Sequence, residues 1–549
     1  MRRHLQHEAL EDRRLLTIDL AGVPDWIEQG SRPITQAVDA PPDDPSSGGV
    51  EDIAIDPNDP SHMFAATISG GIWRTHDGNR PFNGLDDGGG GGADDPLEQP
   101  SWTPLTDQYP SLATGGIAFD PLDATGNTVF AGTGSTSSRV NVTHSGPPIG
   151  IMKTTDDGVT WSVFPLNPGG AEPRVRVVLP TTYDTADNPA VTQVVLVGTV
   201  TNGLYRSTDA GETYTQISNA GVGLPAGSVT DIIVDPNNDD VYYAGVVGDG
   251  VYRSDDGGAT WDDVNNADLS TNASLGDSEA VMLSAHSGAG PTRVYAMISY
   301  ADDGAGAPDV PQVFTSTDAG ANWTELAAVT AGFESGFGYH YPYAASDQII
   351  VDPSDEDIVY IAKGYGGSPM VLRYDPSGAG SWDQIENVGA VGNTEPHVDH
   401  RDLQFANSGG NDVLINANDG GLYFLVDPQN TPGGWVGLHG LGAGGLGITE
   451  YTNVTWDSTF NVVLGGSQDN GTSVQTGAGS LVWELFRGAD GGDVQAAGAG
   501  GGNSHRYRAP RTSGSNATHS TPRPTNPSPR WPSTRASRTS TTTSCPSMN

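Results

Sequence analysis

Apolar residues fall in short runs separated by turns rich in Asp, Gly, Pro and Asn, and the 3.6-residue period of a long helix never persists. One run ending in Asp-Pro recurs: Ile53-Ala-Ile-Asp-Pro57, Ile117-Ala-Phe-Asp-Pro121, Ile232-Ile-Val-Asp-Pro236 and Ile349-Ile-Val-Asp-Pro353. A polar turn and a second apolar run follow, as in Val241-Tyr-Tyr-Ala-Gly245 and Val359-Tyr-Ile-Ala362. A third run, such as Gly250-Val-Tyr-Arg253, leads to a fourth that starts near an aromatic residue. This rhythm predicts four-stranded units of about 50 to 67 residues, the size of a propeller blade. First strands fall near residues 50, 112, 172, 228, 279, 346, 400 and 449, and Gly488-Ala-Asp-Gly-Gly-Asp493 reads as the start of a ninth unit. The expected fold is an all-β propeller of about seven or eight four-stranded blades.

A phrase of hydroxyl, any, Asp, any, Gly, any, Thr or Asn, aromatic closes the third run four times. The copies begin at Thr154, Ser207, Ser254 and Ser316, with Asp156, Gly158 and Trp161; Asp209, Gly211 and Tyr214; Asp256, Gly258 and Trp261; and Asp318, Gly320 and Trp323. The Asp can accept backbone amides, the Gly can take a positive φ, and the aromatic can fill the space between sheets. The phrase resembles the Asp-box of bacterial neuraminidase-type repeats, found in β-propellers, where it is a structural turn away from the ligand face. A degenerate copy lies at Thr75-His-Asp-Gly-Asn79, before a Gly/Asp-rich insertion near 82–96, and the last three units lack the phrase. Asn418-Asp-Gly-Gly421 and Gln468-Asp-Asn-Gly471 resemble phrases in the later blades of bacterial sialidase-like, xyloglucanase-like and sortilin-like proteins. Members of that group differ in function.

The repeat sets the expected boundaries: a terminal segment 1–17, an extended lead-in 18–47, the propeller 48–497 and a disordered tail 498–549. Leu10-Glu-Asp-Arg-Arg-Leu-Leu16 resembles the Leu-Glu-x-Arg-x-Leu-Leu motif of planctomycete-type surface and secreted proteins. The tail is rich in Arg, Ser, Thr and Pro and has no acid, so it reads as a low-complexity stalk or as out-of-frame translation.

The chain has 67 Asp plus Glu against 25 Lys plus Arg, seven of these in 501–549. Such a charge opposes binding to nucleic acid or anionic membranes. No apolar run is long enough to span a bilayer. The single cysteine, Cys545, excludes an intrachain disulfide framework.

Ligands of propellers gather on the face built by loops entering the innermost strands and by turns between second and third strands. Here that face would hold Tyr339, His340, Tyr341 and Tyr343, then His397, Asp399, His400, Arg401 and Asp402, then Asp419, Gln468, Asp469, Arg487 and Asp490. Aromatic rings beside carboxylates and amides suit a sugar, which stacks its C–H face and shares its hydroxyls. Mutual packing of the tyrosines at a crowded rim is the competing reading. His397-Val-Asp-His400 invites a metal, but strand alternation sends His400 away from His397 and Asp399, so no metal is expected there. No cofactor is expected, with calcium left open at the Gly/Asp-rich insertion.

The enzymatic families fit less well. A sialidase needs an arginine triad and an early Phe-Arg-Ile-Pro phrase; Arg32-Pro-Ile34 is no substitute, and Arg401 and Arg487 are the main arginines on that face. A xyloglucanase-type hydrolase needs two Asp across a cleft, for which Asp402, Asp469 and Asp490 are candidates. That family's early Asp-Val-Gly-Gly context is missing, and its two-propeller cleft is not expected from this chain alone. The expectation is a bacterial extracellular or cell-surface propeller that binds a polysaccharide or glycoprotein. Glycoside hydrolysis is the alternative, and a structural module of a larger surface protein the second.

Overall fold

The second strand of each unit reads as a continuous apolar run because both its faces are covered: all of Gln193–Thr199 is buried. The computed structural model describes residues 27–508 apart from 36–44, 83–98, 135–145, 185, 220, 267–268, 270–274, 289, 301–309, 330–346, 364–370, 378–381, 387–395, 409, 431–433 and 489. It is an all-β propeller of four-stranded antiparallel blades. The first strands, in blade order, are Val50–Asp56, Thr114–Phe119, Val175–Asp184, Val229–Asp235, Ser278–His286, Gln348–Val351 and His400–Ser408. Each lies beside the next, and His400–Ser408 returns to Val50–Asp56. The ring thus closes at blade seven.

A separate apolar core fills each gap between neighbours. Blades one and two share Ala54, Phe64, Ile117, Val129, Met152 and Trp161. The closing gap joins Ile53, Ala65 and Trp73 of blade one to Ile415, Leu422 and Phe424 of blade seven. Trp102 Nε1 donates to Leu438 O at 3.0 Å across the same gap.

The repeated turns are built alike. Ser207 Oγ donates to Asp209 Oδ1 at 2.7 Å, and Asp209 accepts Thr213 N at 2.9 Å and Thr213 Oγ1 at 2.6 Å. Asp156, Asp256 and Asp318 repeat the set with Thr160, Thr260 and Asn322. The turn glycine lies against the preceding blade: Gly158 on Phe64, Gly211 on Phe130, Gly258 on Leu196 and Gly320 on Tyr243. A third-strand cation of one blade then bonds the next blade's turn. Lys153 Nζ donates to Ala210 O at 2.8 Å and Arg206 Nε to Gly257 O at 2.9 Å. Arg74 donates to Asp157 O in the same way.

The eighth unit is a sheet outside the ring, with strands Tyr451–Asp457, Val462–Ser467, Thr472–Gln475 and Trp483–Arg487. The lead-in strand Ile34–Thr35 pairs parallel with Trp483 and Glu484 at its outer edge. Beside its innermost strand lies a hairpin, Val494–Gly500 with Asn503–Arg508. Strand pairing therefore crosses residue 497, where composition placed the end of folded chain. Val454 and Trp456 on this sheet, and Tyr507 on the hairpin, are exposed.

The turn geometry separates two costs of a side chain. Gly211 has φ +83° and an added Cβ would meet Phe130 Cε1 at 2.6 Å, whereas Gly221 has φ +78° and open space. Gly221→Ala should cost about 1 kcal/mol from the backbone alone, and Gly211→Ala about 2–4 kcal/mol once overpacking is added. Urea unfolding of both variants checks the difference.

Candidate functional site

Inner strands carry a bulge near their start, between Val50 and Asp52, Val175 and Val177, Val229 and Asp231, and His400 and Asp402. A bulge turns one extra side chain toward the ring axis. Glu51 Oε1 there meets Arg176 Nη1 at 3.5 Å, although blades one and three are not neighbours, and Glu51 Oε2 meets Arg401 Nη1 at 3.5 Å. Glu51 and Arg176 were not singled out in the sequence. The signal for them is a charged residue directly after the first residue of an inner strand.

Past the bulge, Asp52, Asp231 and Asp402 occupy one equivalent position and tie blades together. Asp52 accepts Ile53 N at 2.8 Å and Ile117 N at 2.7 Å; Asp231 accepts Ile232 N and Leu283 N, both at 2.8 Å. Asp402 accepts Leu403 N at 2.8 Å and Ile53 N at 3.3 Å. Its carboxyl is buried and hydrogen-bonded to Asp52, so it spans the ring-closing gap rather than an open groove. Burial pushes both pKa values up, and mutual repulsion adds to the rise at Asp52.

The remaining candidates divide into two groups. His400 is fully buried between blades six and seven, with Nδ1 2.9 Å from Asn416 Oδ1 and Nε2 3.2 Å from Glu386 Oε1. Burial opposes its proton, but the Glu386 carboxylate outweighs that and raises its pKa. His397 is buried beneath Gly420, with Nδ1 3.1 Å from Val398 O. Both histidines are therefore buried, at 0–1% exposure, away from any open surface. Tyr339, His340, Tyr341 and Tyr343, and the Gly/Asp-rich insertion, lie outside the described residues.

Asp399, Asp419, Asp469 and Asp490 form the second group, where the eighth sheet meets blade seven. Asp399 and Asp469 have left-handed backbones, φ 61° and 56°. Carboxylate oxygens of Asp399, Asp419 and Asp469 lie within 4.8 Å of one another. Asp469 N donates to Asp490 Oδ1 at 3.1 Å, and Asn470 Nδ2 donates to Asp419 O at 2.9 Å, joining the two sheets. Buried Arg401 supplies the local cation, with Nε donating to Asp419 Oδ1 at 2.5 Å. Gln468 is half-buried beside Asp469, and Arg487 is exposed at the end of its strand.

Desolvation, then Asp419, Asp399 and Asp490, push Asp469 well above the usual carboxylate range. Desolvation and Asp419 raise Asp399 to about 6. Such a group can share protons, donate and accept hydrogen bonds with hydroxyls, or hold a hard cation through oxygen alone.

No protein-family model matches the chain, and no curated protein matches it in sequence. Solved structures do match in fold. An ancestral GH74 enzyme superposes with TM-score 0.58 at 15% identity, over 88% of this chain and 59% of that one. The GH74 xyloglucanase from Xanthomonas campestris gives 0.56 at 17% identity, over 86% and 65%. The GH74 enzyme from Niastella koreensis gives 0.53 at 17% identity, over 84% and 64%. The chain thus spans about three fifths of the length of these enzymes, and the likeness shows the propeller fold alone.

Asp231 supplies a pH test of the axis. Burial, set against its two amide donors and Arg176, raises its pKa to about 6. A raised carboxyl favours folding below its unfolded pKa, and that contribution is lost as pH rises through the folded value. The stability of the wild type relative to Asp231→Asn should therefore fall by about 1–3 kcal/mol between pH 4 and pH 7. The lower end is expected, because part of Asp231 still reaches solvent. Denaturant titrations at the two pH values check it.

Proposed function

We propose that this propeller binds an extracellular polysaccharide or glycoprotein through the carboxylate group between blade seven and the eighth sheet. The observation that supports the reading is the half-buried trio Asp399, Asp469 and Asp490, set over buried Asp419 and Arg401. Carboxyls of mixed protonation offer donors and acceptors together, as sugar hydroxyls require. Gln468 and Arg487 extend the polar rim, and Tyr339 to Tyr343 would supply the stacking surface. The turns at Asp156, Asp209, Asp256 and Asp318 are of the Asp-box kind and serve structure. Among the described residues no helix is long and apolar enough to cross a membrane. With its acidic charge and the Leu10–Leu16 motif, the chain fits a bacterial secreted or surface protein.

A second reading is glycoside hydrolysis. It is favoured by Asp469, whose pKa burial and the neighbouring carboxylates raise in the direction a general acid requires. The burial of Asp402 between blades one and seven counts against it, since that carboxyl does not face a groove. One fold neighbour is a xyloglucanase, so xyloglucan is the first polysaccharide to try.

The test incubates the full chain with xyloglucan, other plant and algal polysaccharides and a sialylated glycoprotein, scoring retention and new reducing ends together. Retention without cleavage is expected, weakened about tenfold in Asp469→Asn by loss of a hydrogen bond to the sugar. Reducing ends that vanish in the variant would establish hydrolysis instead. Neither retention nor cleavage would leave a structural module.

A further inference from the structure

On the opposite face of the ring, the turn of blade two departs from its repeats. The residue after the turn aspartate has a left-handed backbone in every copy, at Asp157, Ala210, Gly257 and Ala319. Only in blade two does it bring a carboxylate. Asp157 Oδ1 lies 3.0 Å from Nε2 of His62, and Oδ2 lies 3.0 Å from Nε2 of His76, both histidines coming from blade one. The two imidazoles stack with centroids 4.4 Å apart. His62 is 5% exposed between Phe64 and Phe119, and its Nδ1 faces Asp56 Oδ2 at 3.4 Å. By strand register its counterparts in the next three blades are Thr128, Val194 and Val241, so the repeat does not call for a histidine.

A neutral imidazole has one N–H, yet His62 faces a carboxylate at each nitrogen. Unless it is protonated, one nitrogen turns a lone pair on an anion. A cation on the Nε2 side removes the conflict: Asp56 then accepts the Nδ1–H and fixes the ring, as carboxylates do behind metal-bound histidines. Arg74 Nη1 bonds Oδ2 of Asp157 at 2.7 Å, which leaves Oδ1 as the oxygen for a metal.

We infer that His62 Nε2, His76 Nε2 and Asp157 Oδ1 form a site for a zinc-class divalent metal ion that clasps blade one to blade two. Two imidazoles with one carboxylate suit first-row metals, whereas calcium and magnesium prefer oxygen alone. Exposed His76 leaves room for water to complete the coordination.

The experiment loads the full chain with Zn(II) after chelator treatment, desalts it and measures retained metal, with Co(II) absorption as the report on nitrogen ligation. About one ion per chain is expected, with a raised unfolding temperature. His76→Ala, at an exposed position, should weaken retention at least about tenfold, and Asp56→Asn, which acts through the His62 ring, about tenfold. Wild-type protein that retains no zinc would overturn the assignment. So would equal retention by His76→Ala, which would move the ion to the carboxylates on the other face.

Discussion

A blade of this ring is apolar on both faces, so it is stable only between two others, and the last contact must come from far along the chain. Ile53 N meets Asp402 Oδ2 across a separation of 349 residues. Closing so long a loop costs entropy that local strand pairing cannot repay, and the core between blades one and seven offsets it. The rest follows from that closure. Glu51 reaches Arg401 only when the first and last blades touch, and Arg401 in turn neutralises Asp419 beneath the half-buried carboxylates.

Positive charge is scarce here, and the structure places it at joints. Lys153 and Arg206 bond the turn of the following blade, Arg373 donates to Pro428 O at 3.0 Å, and Arg176 and Arg401 meet at Glu51. Buried pairs of this kind are screened little by salt, while the surplus acids on the surface are screened strongly.

The turns were legible in the sequence because their chemistry is local. Asp209, Gly211 and Tyr214 lie within six residues, and each does there what its type allows. Ring closure was not legible. The eighth unit has the same strand rhythm as the seven before it, and only its packing shows that Val454 and Trp456 stay exposed outside the ring. The candidate site was readable in part. Asp419, Asp469 and Asp490 stand in turn phrases visible in the chain, and the structure brings them together with Asp399. Asp402 could not be told apart from them by residue type. Its equivalence to Asp52 and Asp231, which makes it a tie between blades, depends on bulge register. Glu51 and Arg176 were missed for the same reason, since a single charged residue in an inner strand has meaning only once three blades face one axis.

The lead-in strand Ile34–Thr35 finds its partner 448 residues later, where Thr35 Oγ1 donates to Trp483 O at 3.0 Å. Chains are made from the N-terminus at about 5–20 residues per second, so this strand leaves the ribosome tens of seconds before its edge exists. Until then Ile34 has only its local bridge to Ser46, and the edge that meets Trp483 stays open. The outermost strand of the eighth sheet is therefore made before every other strand of that sheet. At that one edge, the strand made earlier must wait for the strand made later.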